Sequence, residues 1–415
     1  MTRAAFAAVT VLFLAGCTAG PASSSESPSP SPSPDAGSTP VVTMASPGFA
    51  ATPSAPPTVA PGAPPTTAPG SVFGSVYKCW GPIPASGNLV LAQLTGSAST
   101  VLRDITNISS PNTLCAFSNP IAPRFVTASS VAFPSAGNRS SDPGSILRLD
   151  LATGIQGSMA SWQAGGFGAG AYDPSPDGRS LTYIAPSGSG LAWHLVSGAV
   201  DRILTTLPPV PGRGVSQEND DFNLTFSPDG NYISLVETFT GSGSGDTAPF
   251  QIRRASDGGL VFSTGSGTMA VWASVPSRLF FRSESGALSR WDPSSGPGAL
   301  QPSLKWVRPH ASADGRWIAY TSFDSAGHPH ANLYSVQGNS VQALAGDQLR
   351  SGAQFLNGTL VWYSEEVACD CGITTWQPTG KAFIYDIASA TESPSRITGV
   401  YDVWPRVTSP PGFGY

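Results

Sequence analysis

Three stretches of this chain restate one phrase. Residues 224–237 read LTFSPDGNYISLVE, residues 172–185 read YDPSPDGRSLTYIA, and residues 309–322 read PHASADGRWIAYTS. Each runs a short apolar strand into a turn and straight back into a second strand. In Ser227-Pro228-Asp229-Gly230, Pro pre-sets φ at the second turn position and Asp suits the third. Gly then takes the left-handed conformation, which predicts a three-residue hairpin with a bulge. The flanks alternate as strands do, with Ile233 and Leu235 on one side and Tyr232, Ser234 and Val236 on the other. A chain that repeats one hairpin builds a repeat fold, so its period comes before its chemistry.

The strand after each turn serves as a marker. Such strands lie near Val131, Leu181, Ile233, Leu279, Ile318 and Leu360, a spacing of about 40–50 residues, which suits four-stranded propeller blades. A third strand follows most of them, as in SILRLDLATG (145–154), LSRWDPSSG (288–296), NLYSVQGN (332–339) and AFIYDIASA (382–390). A weaker fourth comes after a further turn, as in VQALA (341–345). These residues resemble the TolB-like, WD-repeat-related propeller family, whose repeats carry the pattern apolar–SPDG–strand–turn–strand. The resemblance covers residues 71–415 and implies an all-β propeller. It is nearly silent on function. VPSR (275–278) and LNGT (356–359) depart from the turn pattern in the fourth and sixth units.

The ends bear on the blade count. GVYDVWPRVTSPP (399–411) reads as an opening strand without followers, whereas SVFGSVYKCW (71–80), NLVLAQL (88–94) and TVLRDI (100–105) read as followers without an opener. Joined, they complete one blade and give about seven, with six if the N-terminal strands belong elsewhere. Closure would remove the exposed sheet edges that invite aggregation.

Composition agrees with many short strands: 46 Gly and 40 Pro in 415 residues, with 11% charged and a net charge of −5. Lys78, Lys305 and Lys381 are scattered, and no basic stripe exists to hold nucleic acid. No apolar run in the body of the chain reaches the roughly 20 residues of a spanning helix.

The first residues, MTRAAFAAVTVLFLAGC, place Arg3 before an apolar run and end in small residues at Cys17. That is a secretory signal. Leu14-Ala15-Gly16-Cys17 also resembles the lipobox of bacterial lipoproteins, which implies cleavage before Cys17 and a diacylglyceryl thioether on its sulfur. The alternative is an ordinary signal peptide with a coincidental Cys. Two acyl chains, at about 0.8 kcal/mol per buried methylene, make a stable anchor. The domain boundaries are therefore 1–16 for the signal, 17–70 for a linker and 71–415 for the propeller. The linker, with SPSPSPSP at 27–34, lacks apolar side chains to repay folding entropy, so disorder is expected there. At ~3.1 Å per residue it could reach on the order of 150 Å.

The five cysteines suit an exported protein. With Cys17 lipidated, Cys79, Cys115, Cys369 and Cys371 remain as disulfide candidates. Four cysteines allow three pairings. The layout puts Cys79 in the closing blade and Cys115 in the opener of the next, within reach of each other.

No Gly-x-Ser-x-Gly elbow is present, and no catalytic constellation, cofactor site or metal set is expected. His328 and His330 flank Pro329 in a strand-connecting loop and could offer two imidazoles to a metal. No nearby carboxylate completes that set, so a solvated hairpin tip is the expected reading. Glu218, Asp220 and Asp221 form the densest acidic cluster, just before an inner strand and near a channel mouth. They could bind a cation or basic partner, or form a solvated loop. Trp272, Trp317 and Trp362 lie inside strand patterns and read as packing between blades.

Two functions follow. The favoured one is a lipid-anchored envelope propeller that binds a protein, peptide or wall glycan. The alternative is an extracellular lyase or hydrolase acting on carbohydrate at the channel mouth. Propellers host both.

Overall fold

The computed structural model describes residues 70–406, apart from 73–74, 81–82, 85, 95–98, 119–122, 137–142, 164–170, 188–189, 208–221, 238–249, 265–266, 274–276, 284–286 and 370–375. The signal, Cys17 and nearly all of the linker lie outside these residues.

The described chain is all β and forms seven antiparallel blades. Blade 1 comprises Arg124–Thr127, Ser130–Ala136, Gly144–Asp150 and Gln156–Trp162, in that order from the inside outward. Blade 2 repeats the order with Tyr172–Pro174, Ser180–Ser187, Gly190–Ser197 and Val200–Leu207. Blades 3 to 6 begin with the inner strands Phe222–Phe226, Gly267–Ala273, Val307–Ala311 and Arg350–Phe355. All six marker strands are second strands, as the period predicts.

Seven apolar clusters hold the blades together, one at each junction. Leu181 and Tyr183 of blade 2 pack on Val126 and Ile146 of blade 1. Phe125 and Val131 of blade 1 pack on Leu89, Leu91 and Phe117 of blade 7, which closes the circuit. Trp272 and Trp362 sit in such clusters, and Trp317 packs against one. Their polar ends are satisfied where they are buried: Trp272 Nε1 donates to Ser234 Oγ at 3.0 Å and Trp362 Nε1 to the Ile397 carbonyl at 2.9 Å.

Both ends of the described chain build blade 7. Val400–Pro405 is its inner strand and pairs antiparallel with Leu89–Leu94, Val90 facing Pro405 and Ala92 facing Val403. Ser99–Asp104 and Asn112–Ser118 complete the blade. The expected membership was partly wrong here. Residues 112–118 are the fourth strand of this blade, not the opener of the next. Ser75–Cys79, expected among the followers, is a fifth strand outside them, and Gly70–Val72 a sixth. Cys79 stands opposite Cys115 in that added pairing, and the two are joined by a disulfide. Cys369 is disulfide-bonded too, while Cys371 lies outside the described residues.

The repeated turn is one residue longer than expected. The Gly178 amide donates to the Ser175 carbonyl, which leaves the Ser180 amide to find another acceptor. It uses Ser175 Oγ at 2.8 Å, and that hydroxyl donates to Asp177 Oδ1 at 2.6 Å. Ser227, Asp229 and Tyr232 repeat this network, as do Ser312, Asp314 and Trp317. The left-handed residue is glycine each time, with φ of 68°, 70° and 64°. Serine and aspartate recur because their side chains complete the turn's hydrogen bonding.

Candidate functional site

In each blade the second strand returns to the end of the ring where the inner strand begins. Loops between second and third strands therefore gather at that end, and the Ser-Pro-Asp-Gly turns at the other. Residues 324–328 connect the second and third strands of blade 5, so His328 and His330 belong to the first end. Glu218, Asp220 and Asp221 lie outside the described residues.

The structure supplies a carboxylate to the two histidines. Asp324 Oδ2 is 3.1 Å from His328 Nδ1 and 3.5 Å from His330 Nε2. Asp324 Oδ1 accepts the amides of His328 and Ala326, each at 2.8 Å. The His328 amide is the main cause holding the Asp324 carboxyl below its ordinary range. Sequence reasoning found no carboxylate near the pair, although Asp324 stands four residues before the first histidine. Among the described residues no three His, Cys, Asp or Glu side chains are arranged to hold a metal ion.

The His328 ring and Trp376 of blade 6 make a T-shaped contact, with centroids 5.2 Å apart. Trp376 opens the long third strand Trp376–Asp386, which pairs with Leu360–Ala368. Ala368 faces Trp376, and Glu366 faces Pro378. Cross-strand partners share a face and side chains repeat every two residues, so Trp376 and Glu366 stand on one face of the hairpin.

Glu366 is an unusual group in this setting. It is only 8% exposed. Ser351 Oγ of the inner strand and Ser364 Oγ both donate to its Oε1, the latter at 3.2 Å. Oε2 has no partner among the described residues and is not sealed from solvent. Burial pushes the Glu366 carboxyl up, against the two hydroxyls and the charge of Arg308. Arg308 sits on the inner strand of blade 5 with φ of 52°, at an irregularity between Val307 and His310. A non-glycine residue in that region stores strain that surrounding packing must hold.

The neighbouring charges are already matched. Arg350 Nη1 is 3.2 Å from Glu365 Oε1, and its other terminal nitrogen is 3.9 Å from Glu392. Lys381 Nζ is 3.2 Å from Glu365 Oε2. Glu366 is the carboxylate here whose acceptor capacity is half used. The sequence signal for it was slight: Glu365-Glu366 reads as a solvated strand end, and Ser351 is distant in the chain.

No protein-family model matches this chain, and no curated protein matches it. Among solved structures it is similar to TolB from Acinetobacter baumannii at 14% identity and a TM-score of 0.38, over 77% of this chain and 84% of that one. What the two share is the β-propeller fold. A periplasmic gluconolactonase from Pseudomonas aeruginosa shares it at 12% identity and a TM-score of 0.49, over 78% of this chain and all of that one. An oligogalacturonate lyase from Vibrio parahaemolyticus does so at 9% identity and 0.43, over 77% and 81%.

Proposed function

We propose that this chain is an exported, lipid-anchored propeller that serves as a binding or scaffold module in the cell envelope. Its ligand, a protein, peptide or wall glycan, docks at the ring end where the inner strands begin. The observation that carries this reading is Glu366, a buried carboxylate with one oxygen held and the other open. Export is supported by the Cys79–Cys115 disulfide, which belongs to an oxidising compartment. Anchoring is supported by Leu14-Ala15-Gly16-Cys17 and by the linker that follows.

Two measurements test it. Wild-type protein should incorporate labelled fatty acid and Cys17→Ala should not; equal label in both removes the anchor. In affinity capture from envelope extracts, wild-type full chain should retain a partner that Glu366→Gln loses. A control at the opposite ring end, Arg179→Ala, should retain it. Equal capture by all three removes the site.

A carbohydrate-active enzyme at the same mouth is the second reading, favoured by the raised proton affinity of Glu366. Saccharide-cleaving activity that disappears in Glu366→Gln would replace the binding reading with it.

A further inference from the structure

We infer that the Glu366–Trp376 face of blade 6 takes a neutral, hydroxyl-rich ligand, namely a saccharide. This rests on the binding reading above and names the ligand class.

Three features of the site set the chemistry. First, a carboxylate oxygen that is open to solvent and unpartnered among the described residues can take a ligand's hydrogen-bond donor in place of water. Second, the ligand must present an apolar surface alongside that donor. Trp376, half-buried and on the same face, stands two ladder steps from Glu366, roughly 7 Å along the strand. Its indole offers a flat platform, held in a T-shaped contact with the His328 ring. A ring carrying C–H on one face and hydroxyls at its rim meets both requirements together.

Third, the cations of blade 6 offer no unpaired charge to an anionic ligand. Arg350 and Lys381 are engaged with Glu365 and Glu392. Arg308 already acts on Glu366 with its positive charge. An ammonium approaching Oε2 would meet that charge, and an anion would meet the carboxylate. Hydroxyls, which donate to Oε2 and accept from neighbouring donors, gain from both. The hydroxyls of Ser351 and Ser364, fixed on Oε1, hold the carboxylate in place for this contact.

The test is calorimetric titration of the full chain, in a detergent without a sugar headgroup. The probes are cellotriose, mannotriose and chitotriose, with a lysine-rich peptide as counter-probe. At least one trisaccharide should bind with a Kd below about 1 mM, in the range of a small contact. Trp376→Ala and Glu366→Gln should each weaken it tenfold or more with melting unchanged, while Ile203→Lys on blade 2 should leave it as it was. Binding of no trisaccharide, or binding that survives both substitutions, overturns the inference. Glu366-dependent binding of the peptide alone also overturns it while leaving the binding site itself standing. If envelope capture is indifferent to Glu366→Gln, the underlying reading fails instead.

Discussion

Asp173 and Asp292 are both buried beside an arginine, yet their carboxyls move in opposite directions. At Asp173, 1% exposed, burial dominates over Arg124 at 3.4 Å and the Phe226 amide, raising the carboxyl from 3.8 to about 6. At Asp292 burial also works upward. The Ser294 hydroxyl, its amide and Arg278 at 2.8 Å outweigh it and bring the carboxyl to about 2. Linkage then gives opposite signs. The Asp292 contribution is present above about pH 4 and is lost as pH falls toward 2. The Asp173 contribution is complete below about pH 4 and is lost as pH rises through 6. Melting followed from pH 2 to 8 should show Asp292→Asn flattening the acid limb. Asp173→Asn should cost less at pH 7.5 than at pH 4, by up to about 3 kcal/mol. A difference from wild type that is constant across pH contradicts either assignment.

At the scale of the element, the repeated turn stands on one serine. Ser227→Ala removes the acceptor of the Tyr232 amide and the donor to Asp229, and should cost about 1–2 kcal/mol in a denaturant titration. An unchanged midpoint would show that the turn does not need its side-chain bridge. The turn's length was underread by one residue, but its place and its left-handed glycine were readable in advance because its residues are adjacent. So was the order of strands within blades 1 to 6, since alternation and turns are local signals. The added hairpin of blade 7 was not, because nothing within 75–79 says which strand lies beside it. Glu366 was missed for the same reason: its serines come from two strands and its exposure from the packing of blades. Asp324 was missed although it is local, since only the folded loop shows its carboxylate reaching both imidazoles. The cysteine pairing was open among three choices until the register put Cys79 opposite Cys115. That bond closes a separation of 36 residues and should contribute about 4 kcal/mol. Thiol titration of the denatured, exported protein should find no free thiol among Cys79, Cys115, Cys369 and Cys371. Two or more per chain would contradict it.

For the whole molecule, the ring exists because a strand from near one end of the chain completes a blade begun at the other. Val403 lies in the same apolar cluster as Val90 and Ala92 and as Trp362 of blade 6. Its amide donates to Gln354 of that blade. Arg406 then fastens the join, its guanidinium donating to the carbonyls of Pro84 at 2.8 Å, Ala128 at 3.4 Å and Gly87. Removing this strand would open two blade junctions at once. At about 25 cal/mol per Å² of apolar surface, that loss is comparable with the roughly 5–15 kcal/mol that stabilises a whole domain. The most direct measurement compares the melting and mass in solution of two truncations. Deleting 407–415 should leave the wild-type oligomeric state and melting point. Deleting 399–415 should give a chain that aggregates or unfolds far below it. An unchanged oligomeric state and melting point after the longer deletion would contradict closure of the ring by both ends.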